Sequence, residues 1–285
     1  IVTGDWSSDV CSSDLNGIMI PNYSKPDDWE KFNALGVTQF GQMTAGSFMY
    51  IGPQGIVHGT TITILNAKRL IKNNTNTWKL FVTSGLGGMS GAQPKAAKIA
   101  DVCSVTAEIN KNVIEKRYNQ GWVDEIISDL KKLVNRVKEA KEKNEKPSIA
   151  FHGNIIDVWK TFYENNIYID IGSDQTSLHN PYSGGYYPVD VSFKKSNEMI
   201  KKNPSEFKKL VQKSLRIHVN YINKHTKKGT YFFDYGNAFL LESSRAKAKI
   251  LNEKKEFKYP SYVQDIMGPL CFDYGFGPFR WICAS

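Results

Sequence analysis

Residues 79–110, KLFVTSGLGGMSGAQPKAAKIADVCSVTAEIN, constrain the fold more than any other stretch, because they read as strand, glycine turn, helix and strand without a break. Leu80, Phe81, Val82 and Thr83 make a short apolar run of the kind that becomes a buried parallel strand. Gly85, Gly87, Gly88 and Gly91 then supply a hard turn, since residues without Cβ accept positive φ and let backbone N–H groups approach a ligand. Ala92, Ala96, Ala97, Ile99 and Ala100 have helical character, with Pro94 tolerated in the first turn, and Val102, Val105 and Ala107 return as a strand that ends at Glu108. An acidic residue about twenty positions past the glycines is where a dinucleotide-binding βαβ unit holds a ribose 2′-OH, which favours NAD over NADP. The glycine spacing, GxGxxxG or GxxGxxG, departs from the common GxGxxG, and a tight turn alone would also cluster glycines. The register of both strands with Glu108 favours the dinucleotide site.

The rest of the chain repeats the alternation of strand and helix. A helix is expected near Ser24–Leu35, with Ser24 as cap and Pro26 in the first turn, and a long one near Thr60–Lys72. Residues 112–146 read as strongly helical, interrupted at Gly121. Further strands are expected at Ser148–His152, Ile167–Ile171 and Thr230–Phe233, and helices at Ile156–Glu164, at Pro204–Thr226 with Asn203 as cap, and at Ala246–Leu251. Strand direction puts Asn154, Gln175, Thr176, Ser177 and His179 on the carboxyl rim, where open α/β sheets bind ligands. His152 reads as a structural histidine.

With 41% hydrophobic and 23% charged residues the chain is ordinary globular material, and no apolar run approaches the roughly 20 residues of a membrane span. Residues 1–15 fit no element, and DWSSDVCSSDL within them is what one reading frame of a common sequencing adapter encodes; an assembly scar fused to a gene fragment is expected there. Setting its three aspartates aside raises the formal net charge from +9 to +12. The lysines of 131–146, 194–213 and 224–228 alternate with apolar residues at helical spacing, which argues for solvated helix faces rather than nucleic-acid binding. Cys103, Cys271 and Cys283 form no CxxC or metal-like spacing, so no metal is expected, and unpaired cysteines suit a reducing, cytoplasmic compartment.

GLGGMSGAQP resembles the glycine loop of the urocanase (urocanate hydratase) family, and FGQMTAGS, YIGPQGI, AFHGN, SDQTSLHNP, GGYYPV, FFDYGN and GPFRW follow the family pattern in order. The resemblance implies an α/β fold, a Rossmann-like doubly wound parallel sheet that binds NAD, over residues 51–262. Remnants of the family's core domain would flank it at 16–50 and 263–285. It implies cofactor contacts at Gln42, Gly88, Met89, Ser90, Glu108, Asn154, Ile155, Gln175, Thr176, Ser177, Leu178, His179, Tyr186, Tyr187 and Tyr235, with Asn237 near Tyr235. Where bacterial members carry an arginine five positions after the acidic residue, this chain has Val113, with Lys111, Lys116 and Arg117 close enough to substitute. Arg280 is a candidate for the substrate carboxylate, with a structural ion pair as the alternative. The implied activity is a lyase reaction in histidine degradation, addition of water to urocanate with NAD+ as electrophilic cofactor and no net oxidation. The family's catalytic cysteine would lie beyond Ser285, so an inactive internal piece of roughly half the full enzyme is expected. A homodimer is implied for that full enzyme. Two competing readings are an NAD-dependent dehydrogenase domain, which would form NADH, and a non-enzymatic basic binding module, which would bind nucleic acid in a salt-sensitive way.

Overall fold

The computed structural model describes residues 27, 28, 31, 34, 35, 53–71, 78–262 and 265. Gln42, Tyr50, Gly52, Cys271, Cys283, Arg280 and the whole of 1–15 lie outside them. By internal contacts, residues 60–270 form one compact unit, and residues 1–59 with 271–285 form another.

Asp27, Asp28, Lys31 and Ala34 are helical. In chain order there follow α1 (Pro53–Leu70), β1 (Leu80–Ser84), α2 (Ala92–Ile99), β2 (Cys103–Glu108), α3 (Lys111–Asn119), β3 (Glu125–Ile127), α4 (Leu130–Glu142) and β4 (Ser148–His152). Then come α5 (Ile155–Glu164), β5 (Ile171–Asp174), a π-type turn at Pro181–Gly185, α6 (Phe193–Lys202), α7 (Pro204–Thr226), β6 (Tyr231–Asp234) and α8 (Phe239–Arg245). The strands form one sheet in the order β3-β4-β2-β1-β5-β6, and every pairing is parallel. From β1 the chain steps to β2, passes to the edge as β3, comes back between them as β4, and then crosses to place β5 on the other side of β1. The strand order reverses there, which makes the rim between β1 and β5 a topological switch point.

Parallel strands must be covered on both faces, and the two-residue period sorts their side chains accordingly. Leu80, Val82, Val105, Ile149 and Phe151 pack with Leu133 and Val137 of α4, Val158 and Trp159 of α5, and Val211 and Leu215 of α7. Phe81, Ile171 and Phe233 pack with Ile64 and Ala67 of α1 and Ala96 and Ala97 of α2. Leu86, Ala150, Val123 and Ile114 of α3 form a third cluster. Side-chain caps fix several helix starts: Asn110 accepts from Asn112 N, Asp129 from Lys132 N, Asn154 from Ile156 N and Ser192 from Lys195 N. The expected fold class is the observed one.

Four boundaries differ from expectation. Residues 112–146 are two helices separated by β3, because Gly121 at φ +69° turns the chain out of α3 and Glu125–Ile127 pairs with β4 as an edge strand. The fourth core strand is Ile171–Asp174 rather than Ile167–Ile171; Asn166, at φ +54°, ends α5 and the chain spends Ile167–Asp170 reaching the sheet. The helix expected at Ala246–Leu251 lies earlier, at Phe239–Arg245, since Lys247 at φ +60° breaks the helical path and Leu251 pairs with Phe257. Asn203 stands at the N-cap position of α7 without a side-chain cap bond, and Pro204 opens that helix in its place.

Candidate functional site

A cleft opens at the switch-point rim. It is lined by Ser84, Gly85, Gly87 and Ser90 from the first strand and its loop, and by Ala107, Glu108 and Ile109 from β2. Gly153, Asn154 and Ile155 follow β4, Gln175, Thr176 and Ser177 follow β5, and Gly184, Gly185, Tyr186 and Tyr187 close it.

The loop after β1 is held from both sides. Gly85 takes φ +88°, a conformation that disfavours any side chain, and a Cβ there would lie 2.9 Å from Ser90 Oγ and 3.1 Å from Gln175 O. The Glu108 carboxylate accepts Leu86 N at 3.0 Å and Asn110 N at 2.9 Å. Burial pushes its carboxyl above the usual range, against the opposing pull of those backbone N–H groups. Ile109 N–H also acts on the carboxylate, and these three amides leave part of its roughly four acceptor directions open, so Glu108 can still accept a hydroxyl. Gly87 N donates to Ser90 Oγ at 2.9 Å, which leaves the Ser90 hydroxyl hydrogen free to donate elsewhere. Behind the loop, Arg117 donates to Leu86 O and Gly87 O. Beneath it, Thr83 Oγ1 donates to Gln93 Oε1 at 2.6 Å and Gln93 Nε2 donates to Ser84 O at 3.2 Å, tying β1 to the start of α2.

The segment after β5 is ordered by Asp174, a fully buried carboxylate. It accepts the Ser84 hydroxyl, the Thr176 amide at 3.0 Å, the Thr176 hydroxyl at 2.5 Å and Asn237 Nδ2 at 3.1 Å. Asn237 Nδ2 also reaches Thr176 O at 2.6 Å. Asp234, at the end of β6, accepts Gly236 N and Leu240 N, and so shapes the turn that carries Asn237. Burial pushes both carboxyls up, and each lies close enough to Asp234 or Asp174 for the second negative charge to add to the shift at Asp234.

Of the residues expected to bind a cofactor, Ser90, Glu108, Asn154, Ile155, Gln175, Thr176, Ser177, Tyr186 and Tyr187 line this cleft. Gly88 and Met89 are exposed at the tip of the same loop, and His179 is exposed beyond the β5 segment. Leu178 is buried in the core. Asn154 spends its side chain on the α5 cap and on Tyr187 O at 3.0 Å. Tyr186 is buried, with its hydroxyl 3.1 Å from His218 Nδ1. Tyr235 stacks on Tyr262 at 4.8 Å and shares a hydrogen bond with Thr60 Oγ1 at 2.9 Å. The Gln175 amide sits beside the Tyr235 hydroxyl, yet its Nε2 makes no hydrogen bond of good geometry among the described residues. Lys111 is exposed and pairs with Glu115 at 3.3 Å, away from the loop, whereas Arg117 reaches it.

Sequence reasoning did not single out Asp174. Its signal is the spacing Asp-x-Thr, which lets a carboxylate accept the backbone N–H two positions on and the hydroxyl beside it.

The family model for the urocanase Rossmann-like domain matches residues 52–266, and the model for the urocanase N-terminal domain matches residues 14–49. Among curated proteins, the chain is 56% identical over 275 residues to a probable urocanate hydratase of Caenorhabditis elegans. It is 55% identical over 276 residues to a probable urocanate hydratase of Dictyostelium discoideum, and 52% identical over 281 residues to the urocanate hydratase of Homo sapiens. In each case 95% of this chain is aligned against 41% of the relative, so the chain spans about two fifths of the length of these proteins.

Proposed function

The chain belongs to the urocanase family, and on that premise we propose that its Rossmann-like domain is the NAD+-holding part of a urocanate hydratase, the longer protein adding water to urocanate. The observation that carries the reading is the placement of Glu108 at the tip of β2, where it faces the glycine loop across the rim of the switch point and retains acceptor capacity for ribose hydroxyls. The residues present suit such a cofactor. Gly85, free of a Cβ, lets the loop close on Ser90 and the Gln175 carbonyl, Ser90 has a hydroxyl hydrogen to offer, and Gln175 Nε2 is a buried donor in need of an acceptor.

When bound, NAD+ supplies a cationic ring that acts as an electron sink without net hydride transfer. The chain's own part is retention and orientation. Glu108 would hold the adenosine ribose, the amides of the glycine loop and Ser90 the pyrophosphate, and Gln175, Thr176 and Ser177 the far half of the dinucleotide. Asp174 and Asn237 fix that last segment by four hydrogen bonds, two within it from Thr176 to Asp174 and two from Asn237 across to it. A cytoplasmic location and a homodimeric full enzyme belong to the same reading. No lysine lines the cleft, and the lysines of α7, such as Lys208, Lys209 and Lys213, are exposed on its outer face, which favours the nucleotide reading over a basic binding module.

Calorimetric titration of the purified 285-residue chain with NAD+, beside a titration with a labelled oligonucleotide, tests the proposal. Saturable NAD+ binding that weakens in E108A is expected; oligonucleotide binding without NAD+ affinity would overturn it. No helix among the described residues is long and apolar enough to cross a membrane.

A further inference from the structure

Arg117 stands on α3, outside the rim, with only 9% of its surface exposed. Its Nε donates to Leu86 O at 3.0 Å, its Nη2 to Gly87 O at 2.5 Å and its Nη1 to Gln120 Oε1 at 2.8 Å. Its guanidinium lies 5.0 Å from the ring centre of Trp122. Among the described residues no carboxylate forms an ion pair with it, and burial lowers its affinity for the proton it carries. Gly91 is part of this arrangement. It takes φ −60°, which any residue adopts, so its lack of a side chain answers to space: a Cβ there would lie 2.2 Å from Arg117 Nε.

A planar trans peptide points its C=O and the following N–H in opposite directions. By drawing the carbonyls of Leu86 and Gly87 toward α3, the arginine turns the N–H groups of Gly87 and Gly88 the other way. Gly87 lines the cleft, and Gly88 follows it at the exposed loop tip. The Gly87 N–H is taken up by Ser90 Oγ at 2.9 Å, which fixes that hydroxyl with its hydrogen still to donate, and the Gly88 N–H is turned to the same side; a hydroxyl and an amide so placed are anion donors, and an unneutralised cation behind them deepens the positive potential.

We propose that Arg117 is a positioning residue for the nucleotide site: it aims the amide of Gly88 and, through the Gly87 N–H bond to Ser90 Oγ, the Ser90 hydroxyl at the pyrophosphate of the dinucleotide, and adds a positive charge behind them. The assignment rests on the NAD+ reading for the identity of the ligand, but its geometry concerns the anion alone. Gly91 is then the partner that gives Arg117 its place.

The test is calorimetry on the 285-residue chain and its R117Q and R117K variants with three probes: NAD+, inorganic pyrophosphate, and adenosine, which lacks the anion. R117Q is expected to weaken NAD+ and pyrophosphate at least tenfold and adenosine less than twofold. It should also flatten the dependence of NAD+ affinity on salt, and R117K should recover part of the loss. A purely structural role would weaken all three probes together, and that result overturns the proposal, as does unchanged affinity for NAD+ and pyrophosphate in R117Q. Should R117Q fail to fold, R117K carries the same comparison, because it keeps the charge yet cannot hold both carbonyls. Pyrophosphate binding that depends on Arg117, without NAD+ binding, would overturn the cofactor reading and leave the clamp standing. NAD+ binding indifferent to Arg117 would do the reverse, and absence of both would overturn both.

Discussion

The Glu108 carboxylate accepts the amide of Leu86, 22 residues earlier in the chain, at 3.0 Å, so the residue proposed to hold the ribose is also a strut of the glycine loop. Replacing it removes an acceptor from two backbone amides, those of Leu86 and Asn110. E108A is therefore expected to cost about 1–3 kcal/mol in urea unfolding, the penalty for orphaned buried donors, in addition to its loss of NAD+ affinity. E108D, with its shorter reach, should recover part of the stability and less of the affinity.

Gly91 and Arg117 offer a sharper test, because their relationship is steric. At φ −60° an alanine at 91 meets no backbone strain, so its whole cost comes from the 2.2 Å approach of its Cβ to Arg117 Nε. G91A is expected to destabilise by about 1–3 kcal/mol, the usual range for overpacking. In the R117A background the same substitution should be close to neutral. A double-mutant cycle by thermal unfolding measures the coupling, and additive effects would show that the contact carries no energy.

The β1–loop–α2–β2 unit was legible in the sequence because three signals coincide there: a buried apolar strand, glycines and an acidic strand end. β5 was harder to read. Its residues Ile171, Gly172, Ser173 and Asp174 look like a loop, yet all are buried in the sheet. The small residue at 172 is required because Trp159 packs over it, a Cβ there lying 2.5 Å from Trp159 Cη2. Ser173 bonds to Thr83 at 2.8 Å and Asp174 to Ser84, so the polarity that mimics a turn is satisfied sideways within the sheet. β3 was hidden for the opposite reason. Its apolar residues Ile126 and Ile127 fall in phase with the stripes of the helices around them, and only the pairing with β4 makes them a strand. Arg117 was named as a nearby cation, but no spacing rule says that its guanidinium passes beside Gly91, a contact that exists only after α3 has folded back.

Asp174 joins four donors with no cation beside it, so its removal strands the Ser84 and Thr176 hydroxyls and Asn237 Nδ2 together. D174A is expected to cost on the order of 3 kcal/mol in urea unfolding. Its pKa is raised by burial, so between the ordinary value of 3.8 and the higher folded value the folded chain binds more protons than the unfolded one. Stability from this group is then greatest below pH 3.8 and falls as pH rises through that window. D174N, which keeps the shape without the titration, should lack this slope when unfolding free energy is followed from pH 3 upward.

His218 contributes the opposite slope. It is fully buried, with its ring near those of Trp159, Tyr186 and Phe239, and it faces the hydroxyl of Tyr186, a residue of the cleft wall. Burial lowers its pKa from the ordinary 6.5 to about 3, so the folded chain keeps the ring neutral while the unfolded chain protonates it. In the window between those values the unfolded state binds the extra proton, and stability falls as pH falls, by up to about 1.4 kcal/mol per pH unit from this group. The loss begins near pH 6.5 and saturates near pH 3. H218Q cannot titrate, and the difference between its unfolding free energy and that of the unaltered chain, measured in urea from about pH 8 down to about pH 4, isolates the histidine from the buried carboxyls. That difference should be flat above pH 7 and should change steadily below pH 6.5, in the direction of a relative gain for H218Q; a flat difference throughout would mean that His218 is protonated as readily inside the fold as outside it.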